Sequence, residues 1–163
     1  MWLRNFLYGV AMRFTTKTEY GILCMIHLAK HSDMPCVTIK QIAQKENYPA
    51  PYIEKILQAL RHSGLVKAHH GNQGGYSLAR TPSEISLRQI IDSLEGSTFE
   101  IFCQPEVRDE IVCTHFCLCG VKPVWRKTKQ ILDDFYSSVT LDMLTQDEMQ
   151  TQKILISKGS HGH

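Results

Sequence analysis

The sequence predicts a mainly α-helical fold with a small β-hairpin wing: a winged helix-turn-helix followed by a long C-terminal helix. Three stretches carry that expectation. "VTIKQIAQKENYPAPYIEKILQALRHSGL" holds two amphipathic helices around a tight break. "LVKAHHGNQGGYSLA" alternates apolar and polar residues on both sides of a glycine-rich turn. "VKPVWRKTKQILDDFYSSVT" spaces its apolar residues three or four apart.

The first helix is expected over Thr16 to Lys30. There Tyr20, Leu23, Ile26, His27 and Ala29, with Cys24 and Met25 between them, suit a mostly buried helix. Cys24 reads as a small buried hydrophobe, and Cys36 follows Pro35 in a loop. Thr38 is the expected N-cap of a short second helix carrying Ile39, Ile42 and Ala43 on one face. "NYP" breaks it. Pro51 suits the first position of a third helix and Gly64 its C-terminal cap, with Ile53, Ile56, Leu57 and Leu60 facing inward.

In the hairpin, Val66 and Ala68 alternate with Lys67 and His69, then Tyr76 and Leu78 with Ser77. Gly71, Gly74 and Gly75 are expected to supply positive φ angles at its tip. Arg61, His62, Lys67, His69, His70, Asn72 and Gln73 place cationic and amide groups on the outer edge, the types that meet phosphates and groove edges. Each residue alone also fits a solvated polar loop. The order of elements is what points to double-stranded DNA.

A fourth helix follows, capped by Ser86 or Ser83, with Leu87, Ile90, Ile91 and Leu94 inward. Further on, Val121, Val124, Thr128, Ile131 or Leu132, Phe135 and Val139 form a narrow apolar seam. Such a seam suits pairing of helices between subunits or packing on the chain's own domain, and periodicity does not separate the two. From Thr145 the chain is polar and ends "SKGSHGH", which reads as a disordered tail.

At 163 residues and 18.6 kDa the chain fits one domain plus an extension. A net charge of +2 and a pI of about 8.2 permit nucleic-acid binding without arguing for it. The longest apolar runs are too short and interrupted to span a bilayer, so no membrane is expected. "MWLRNFLYGVA" resembles a signal peptide only in one Arg before a few apolar residues, and "RFTTKTEYG" is a poor cleavage region. A cytoplasmic, reducing environment is therefore expected. There clustered cysteines more often bind metal or do redox chemistry than form disulfides.

Such a cluster exists. "CTHFCLC" holds Cys113, Cys117 and Cys119, with Cys103 a short way upstream. Thiolates are soft ligands for iron–sulfur clusters or zinc. No C-x-x-C occurs, although Cys113 and Cys117 fall within zinc's looser spacing range. His115 neighbours Cys113, but nothing else suggests a triad, phosphate loop or oxyanion site, so an enzyme is not expected. An electron-transfer module would call for a reductase domain or cofactor loop, and neither is evident.

Several stretches together resemble the IscR/NsrR-type regulators of the Rrf-two family: "MRFTTKTEYGI" from Met12, "IAQKENYPAPYIEKILQALRHSGLV", "GGYSLAR", "ISLRQIIDSLEG" into the cysteine segment, and "VWRKTKQILDDFYSSVTLDML". The likeness covers Met12 to about Leu144. It implies a cytosolic winged-helix transcription factor, homodimeric on a pseudo-palindromic operator, whose DNA affinity is set by an iron–sulfur cluster sensing iron, redox state or nitric oxide.

The resemblance divides the chain as follows. Residues 1–11 are an N-terminal extension or start-site artefact, 12–97 the DNA-binding domain, and 98–120 the cysteine-rich cluster-binding loop. Residues 121–144 are the dimerisation helix and 145–163 the tail. Cluster-bearing members place their last ligand six residues before a Trp and the middle one six before that. Here those are Cys119, before Trp125, and Cys113, with Cys103 as the first. The gap from Cys103 to Cys113 exceeds the family's most compact spacing, which leaves 2Fe–2S and 4Fe–4S both open. One branch completes the cluster with an acidic side chain early in the first helix, here Glu19; Cys117 and His115 are alternatives. Glu19 also fits as an ordinary first-turn acid.

For DNA, the resemblance places Glu54 and Lys55 where relatives touch bases, just after Pro51 and Tyr52. A Glu can accept from a cytosine amino group and a Lys can reach guanine. Thr38, Lys67, His70 and Asn72 complete the expected contacts, with His70 standing where many members carry an Arg. A cluster-free thiol-redox or zinc-binding regulator of the same fold is the alternative.

Overall fold

The computed structural model describes residues 15–71, 74–97 and 119–159. Helix α1 (Thr16–Lys30) is followed by α2 (Ile39–Glu46), α3 (Ala50–His62), strands β1 (Val66–His69) and β2 (Gly75–Leu78), and a single 3-10 turn at Pro82–Glu84. Then come α4 (Leu87–Glu95), α5 (Val121–Ser138), α6 (Leu141–Leu144) and α7 (Glu148–Gly159). This is the mainly helical, winged helix-turn-helix architecture that the sequence predicts.

Local chemistry sets most boundaries. Thr38 caps α2 by a reciprocal box: its Oγ1 accepts from the Gln41 amide at 3.2 Å, and its own amide donates to the Gln41 side chain at 2.8 Å. Ser86 does the same for α4 with Gln89, whereas Ser83 lies inside the 3-10 turn. Asn47 takes the left-handed conformation that ends α2. Gly64, at φ 72°, closes α3 with the paired bonds of a Schellman motif, Leu65 N–H to Leu60 O and Gly64 N–H to Arg61 O, each 3.0 Å. Helix α3 begins one residue before Pro51, with Pro49 at the cap; such ends shift readily by a residue.

The core is one cluster. Cys24, Met25 and Leu28 of α1 meet Ile42 of α2, Ile53, Ile56, Leu57 and Leu60 of α3, Ile90 and Leu94 of α4, and Leu141 of α6. On α1 the expected Cys24, Met25, His27 and Ala29 are buried, together with Thr18, Gly21 and Leu28, while the expected Leu23 and Ile26 are half-buried. Gly21 sets how closely α4 approaches. A β-carbon there would stand 2.2 Å from Leu94 Cδ1, so α4 packs directly over the glycine.

The wing is a two-stranded antiparallel hairpin with Val66 opposite Leu78 and His69 opposite Gly75. Val37 bridges to Tyr76 at its root, exchanging two backbone bonds of 2.8 Å. Among the tip glycines Gly71 has the positive φ expected, 123°, but Gly74 and Gly75 do not. At Gly75 the lack of a side chain serves a close approach instead: a β-carbon would lie 2.4 Å from the Val37 carbonyl oxygen.

Two expectations for the C-terminal part change. The long helix ends at Ser138 and not at 144, because Val139 and Thr140 become extended and pair with Ser86. The segment expected to be a disordered tail from Thr145 instead forms α7, started by the Asp147 carboxylate accepting from the Gln150 amide at 2.8 Å. Thr151 of α7 donates to the Met143 carbonyl at 3.1 Å. Residues 1–11 and most of the cysteine segment lie outside the described residues.

Replacing Gly75 with Ala sets a β-carbon against backbone that has no rotamer to escape into. Urea unfolding should show a loss of roughly 1–3 kcal/mol. An unchanged midpoint would mean that the Val37–Tyr76 bridge is not the constraint at this position.

Candidate nucleic-acid interface

Helix α3 divides cleanly. Ile53, Ile56, Leu57 and Leu60 are buried, while Pro51, Glu54, Lys55, Gln58, Arg61 and His62 are exposed at the complementary helical spacing. Glu54 accepts from the Gln58 side-chain amide at 3.3 Å, so the two present one polar unit. Gln58, Arg61, His62 and Tyr76 line an open cavity of about 520 Å³ between the end of α3 and the wing. Gln58 is absent from the sequence-derived set. Its spacing of three and four from Lys55 and Glu54 is the signal that could have placed it there.

The start of α3 is anchored by aromatics. The ring of Tyr48, in the turn, stacks on Tyr20 of α1 at 3.7 Å between centroids, and Tyr52 meets Tyr20 edge-on at 5.5 Å. Tyr52 is therefore half-buried, a packing residue as much as a surface one. Burial, then the neighbouring Tyr20, Glu46 and Glu19, push the Tyr48 phenol above its ordinary pKa. At the C-terminal end of α2, just before the turn, Glu46 pairs with the buried His27 of α1 at 3.2 Å. His27 stacks in turn on His31, whose Nδ1 donates to the His27 carbonyl at 2.8 Å. Both sides of the turn are thereby pinned to α1.

On the wing, Lys67 and His69 of β1 are exposed, with His69 Nε2 2.7 Å from the Ser77 hydroxyl. His70 is exposed just beyond β1, and Asn72 lies outside the described residues. Thr38 is half-buried with its hydroxyl engaged in the α2 cap. The exposed Lys55, Arg61 and Lys67 supply fixed positive charge along α3 and β1, chemistry that meets phosphate oxygens.

Of the candidate metal ligands, Cys103, Cys113, Cys117 and His115 fall outside the described residues. Cys119 is half-buried directly ahead of α5, its carbonyl accepting from the Lys122 amide at 3.2 Å. Glu19 is exposed in the first turn of α1. Among the described residues no group of three His, Cys, Asp or Glu side chains could hold a metal ion. Cys24 is fully buried, and burial together with Glu46 pushes its thiol up to about 12. That thiol is a core hydrophobe, not a reactive group.

Fold and surface define a winged-helix DNA-binding protein. The model of the Rrf2 family, described as an iron-dependent transcriptional regulator, matches residues 14–147. The chain belongs to the Rrf2 family and is a transcriptional regulator, not an enzyme. It is 37% identical over 141 residues to a provisionally named HTH-type transcriptional regulator, slr0846, of Synechocystis sp., covering 86% of this chain and 92% of that one. To the HTH-type transcriptional regulator IscR of Pectobacterium carotovorum it is 28% identical over 137 residues, 84% of this chain and 81% of the relative. Among solved structures it superposes on CymR, the global cysteine regulator of B. subtilis. The TM-score is 0.68 at 29% identity, over 83% of this chain and 98% of that one. T. potens IscR gives a TM-score of 0.62 at 28% identity, over 93% of each.

Two outcomes are expected. At pH 8, where a burial-raised thiol stays protonated, Cys24 should resist iodoacetamide in the folded protein and react only after unfolding; peptide mapping reads this directly. Lys67→Ala should weaken DNA binding at all sequences and flatten the salt dependence by about one unit of slope, whereas Lys55→Ala should mainly relax sequence preference. Equal losses on specific and random duplex for both variants would displace α3 as the reading helix.

Proposed function

We propose that this protein is a homodimeric regulator in the cytoplasm whose affinity for a pseudo-palindromic operator is set by an iron–sulfur cluster. The observation that carries it is the position of Cys119. It stands at the head of α5, and Cys103, Cys113 and Cys117 precede it in the sequence. The same helix exposes Val121, Val124, Ile131 and Phe135, each between 47% and 57%, in a row along one face. Such a row is too apolar to leave in water. Of the two packings open to the seam, this exposure favours a second copy of the chain.

The donor set fits a cluster. Three thiolates from Cys103, Cys113 and Cys119 are soft ligands, and the N-terminal end of an eighteen-residue helix suits the net negative charge of a thiolate-bound centre. Glu19, Cys117 or His115 would supply a fourth, and a carboxylate is the harder and more labile of these. The cluster would supply a redox- and nitric-oxide-reactive centre. The chain's own residues convert its presence into a conformation, since Cys119 is continuous with α5 and α5 with the dimer face. Glu54, Lys55 and Tyr52 on α3 and Lys67 and His70 on the wing would then meet DNA, joined by Asn72.

A second reading is a cluster-free regulator of the same fold that senses thiol oxidation, or that holds zinc. The likeness to a global cysteine regulator favours it.

An absorption spectrum of anaerobically purified protein, with iron and sulfide analysis, separates them. Visible absorbance with matched iron and sulfide supports the cluster, and a colourless, iron-free protein supports the second reading. Glu19→Ala should shift that spectrum while Cys117→Ala leaves it intact; the reverse would give the corner to Cys117. In sedimentation, Phe135→Asp should yield monomers or aggregates, because an unpaired charge buried in the seam costs about 3–5 kcal/mol. An unchanged dimer would place the interface elsewhere.

A further inference from the structure

Helices α4 and α5 pack together, and the start of α4 is tied to the end of α5 by backbone. Ser86 bridges Thr140, the Leu87 amide donates to the Val139 carbonyl and the Leu141 amide to the Ile85 carbonyl, both at 2.8 Å. This two-bond tie, with the buried Tyr136 of α5 and Val139 near it in the chain, holds the end of α5 and can act as a pivot. A second attachment helps to set the angle. The Asp133 carboxylate of α5, whose side chain is only 12% exposed, lies 3.4 Å from Arg88 Nη2 of α4 and 3.0 Å from Lys129 Nζ of its own helix. Arg88 is held in turn by Asp92 at 3.4 Å.

A carboxylate this buried is poor value as stabilisation alone, because an apolar side chain would pack there at lower desolvation cost. What it supplies is direction, since a rotation of α5 that carries Asp133 out of reach of Arg88 breaks the pair. The lever is long. Asp133 stands about 9 Å along α5 from the Val139 pivot and Val121 about 27 Å, at 1.5 Å per residue. A turn of about 5° would carry the Val121 end roughly 2.4 Å, on the scale of the 3.4 Å that one base pair occupies.

We propose that the Arg88–Asp133–Lys129 clasp is a specificity-determining contact that fixes the half-site spacing read by the dimer. It orients the winged domain on the dimer helix, and therefore each recognition helix relative to its partner's. The proposal rests on the α5 dimer above.

The test uses the full-length protein and an operator selected by it from random duplex DNA, together with versions carrying one base pair more or fewer between half-sites. Wild-type protein should prefer the selected spacing. Asp133→Asn and Arg88→Gln should erode that preference by about 2- to 30-fold, the range of single contacts that carry coupling. Affinity for an isolated half-site should hold, and Asp133→Glu, which keeps the charge, should restore most of the discrimination. A lowered melting temperature with discrimination intact would make the clasp merely structural and overturn the proposal. So would dissociation of the Arg88→Gln dimer, since a contact within one protomer that only orients must leave the seam whole. If wild-type protein sediments as a monomer on its operator, the dimer itself is wrong, an outcome distinct from either.

Discussion

The crossing of α1 over α4 is the contact on which the domain depends, and it is built from a void and a polar clamp. Gly21 leaves the room that Leu94 fills. One turn earlier, the hydroxyls of Thr15 and Thr18 both donate to the Glu95 carboxylate, and Lys17 donates to the Leu94 carbonyl. Space without the clamp would let the helices slide; the clamp without the space could not close. Around this crossing Cys24, Met25 and Leu28 lie in one buried cluster with residues of α2, α3, α4 and α6. Truncating any one large aliphatic there would cost about 2–5 kcal/mol, a large share of a small domain's stability.

The DNA face follows from how α1 holds the helix-turn-helix. The Tyr20–Tyr48–Tyr52 group fixes the start of α3, and the His27–Glu46 pair fixes the end of α2. The outward side of α3 is thus presented by contacts on its inward side. The wing is similarly seated, through Val37 and Tyr76 at its root. With a net charge of only +2, the molecule offers no strong overall field. Attraction to a polyanion has to come from where the cations stand, and Lys55, Arg61 and Lys67 all lie on this side of the fold.

Helix α5 ends at the winged domain, where the extended pair Val139–Thr140 meets Ser86, and Leu141 is fully buried in the main core. The end of α5 is therefore part of the DNA-binding domain, while its beginning is continuous with Cys119. Cys119 and the winged domain are thus joined by one helix.

Much of this was legible in the chain. The helices and wing follow from spacing and caps: period-3.6 apolar stripes in α3 and α4, the Thr38 and Ser86 boxes, Gly64 after α3. These are local effects, decided within a few residues of sequence. The exposed half of α3 was readable for the same reason. What needed the tertiary structure was every feature set by approach between distant segments. Gly75 serves the Val37 carbonyl and not a positive φ, α5 breaks at Val139 because Ser86 is there to pair with, and α7 forms where polarity suggested a loose tail. Asp133 reads as one more surface acid in "KTKQILDDFY". Only the packing of α4 against α5 buries it beside Arg88. Sequence determines which conformations each segment prefers, because those preferences are short-range; which charges are desolvated and which glycines are crowded depends on partners that folding alone brings near.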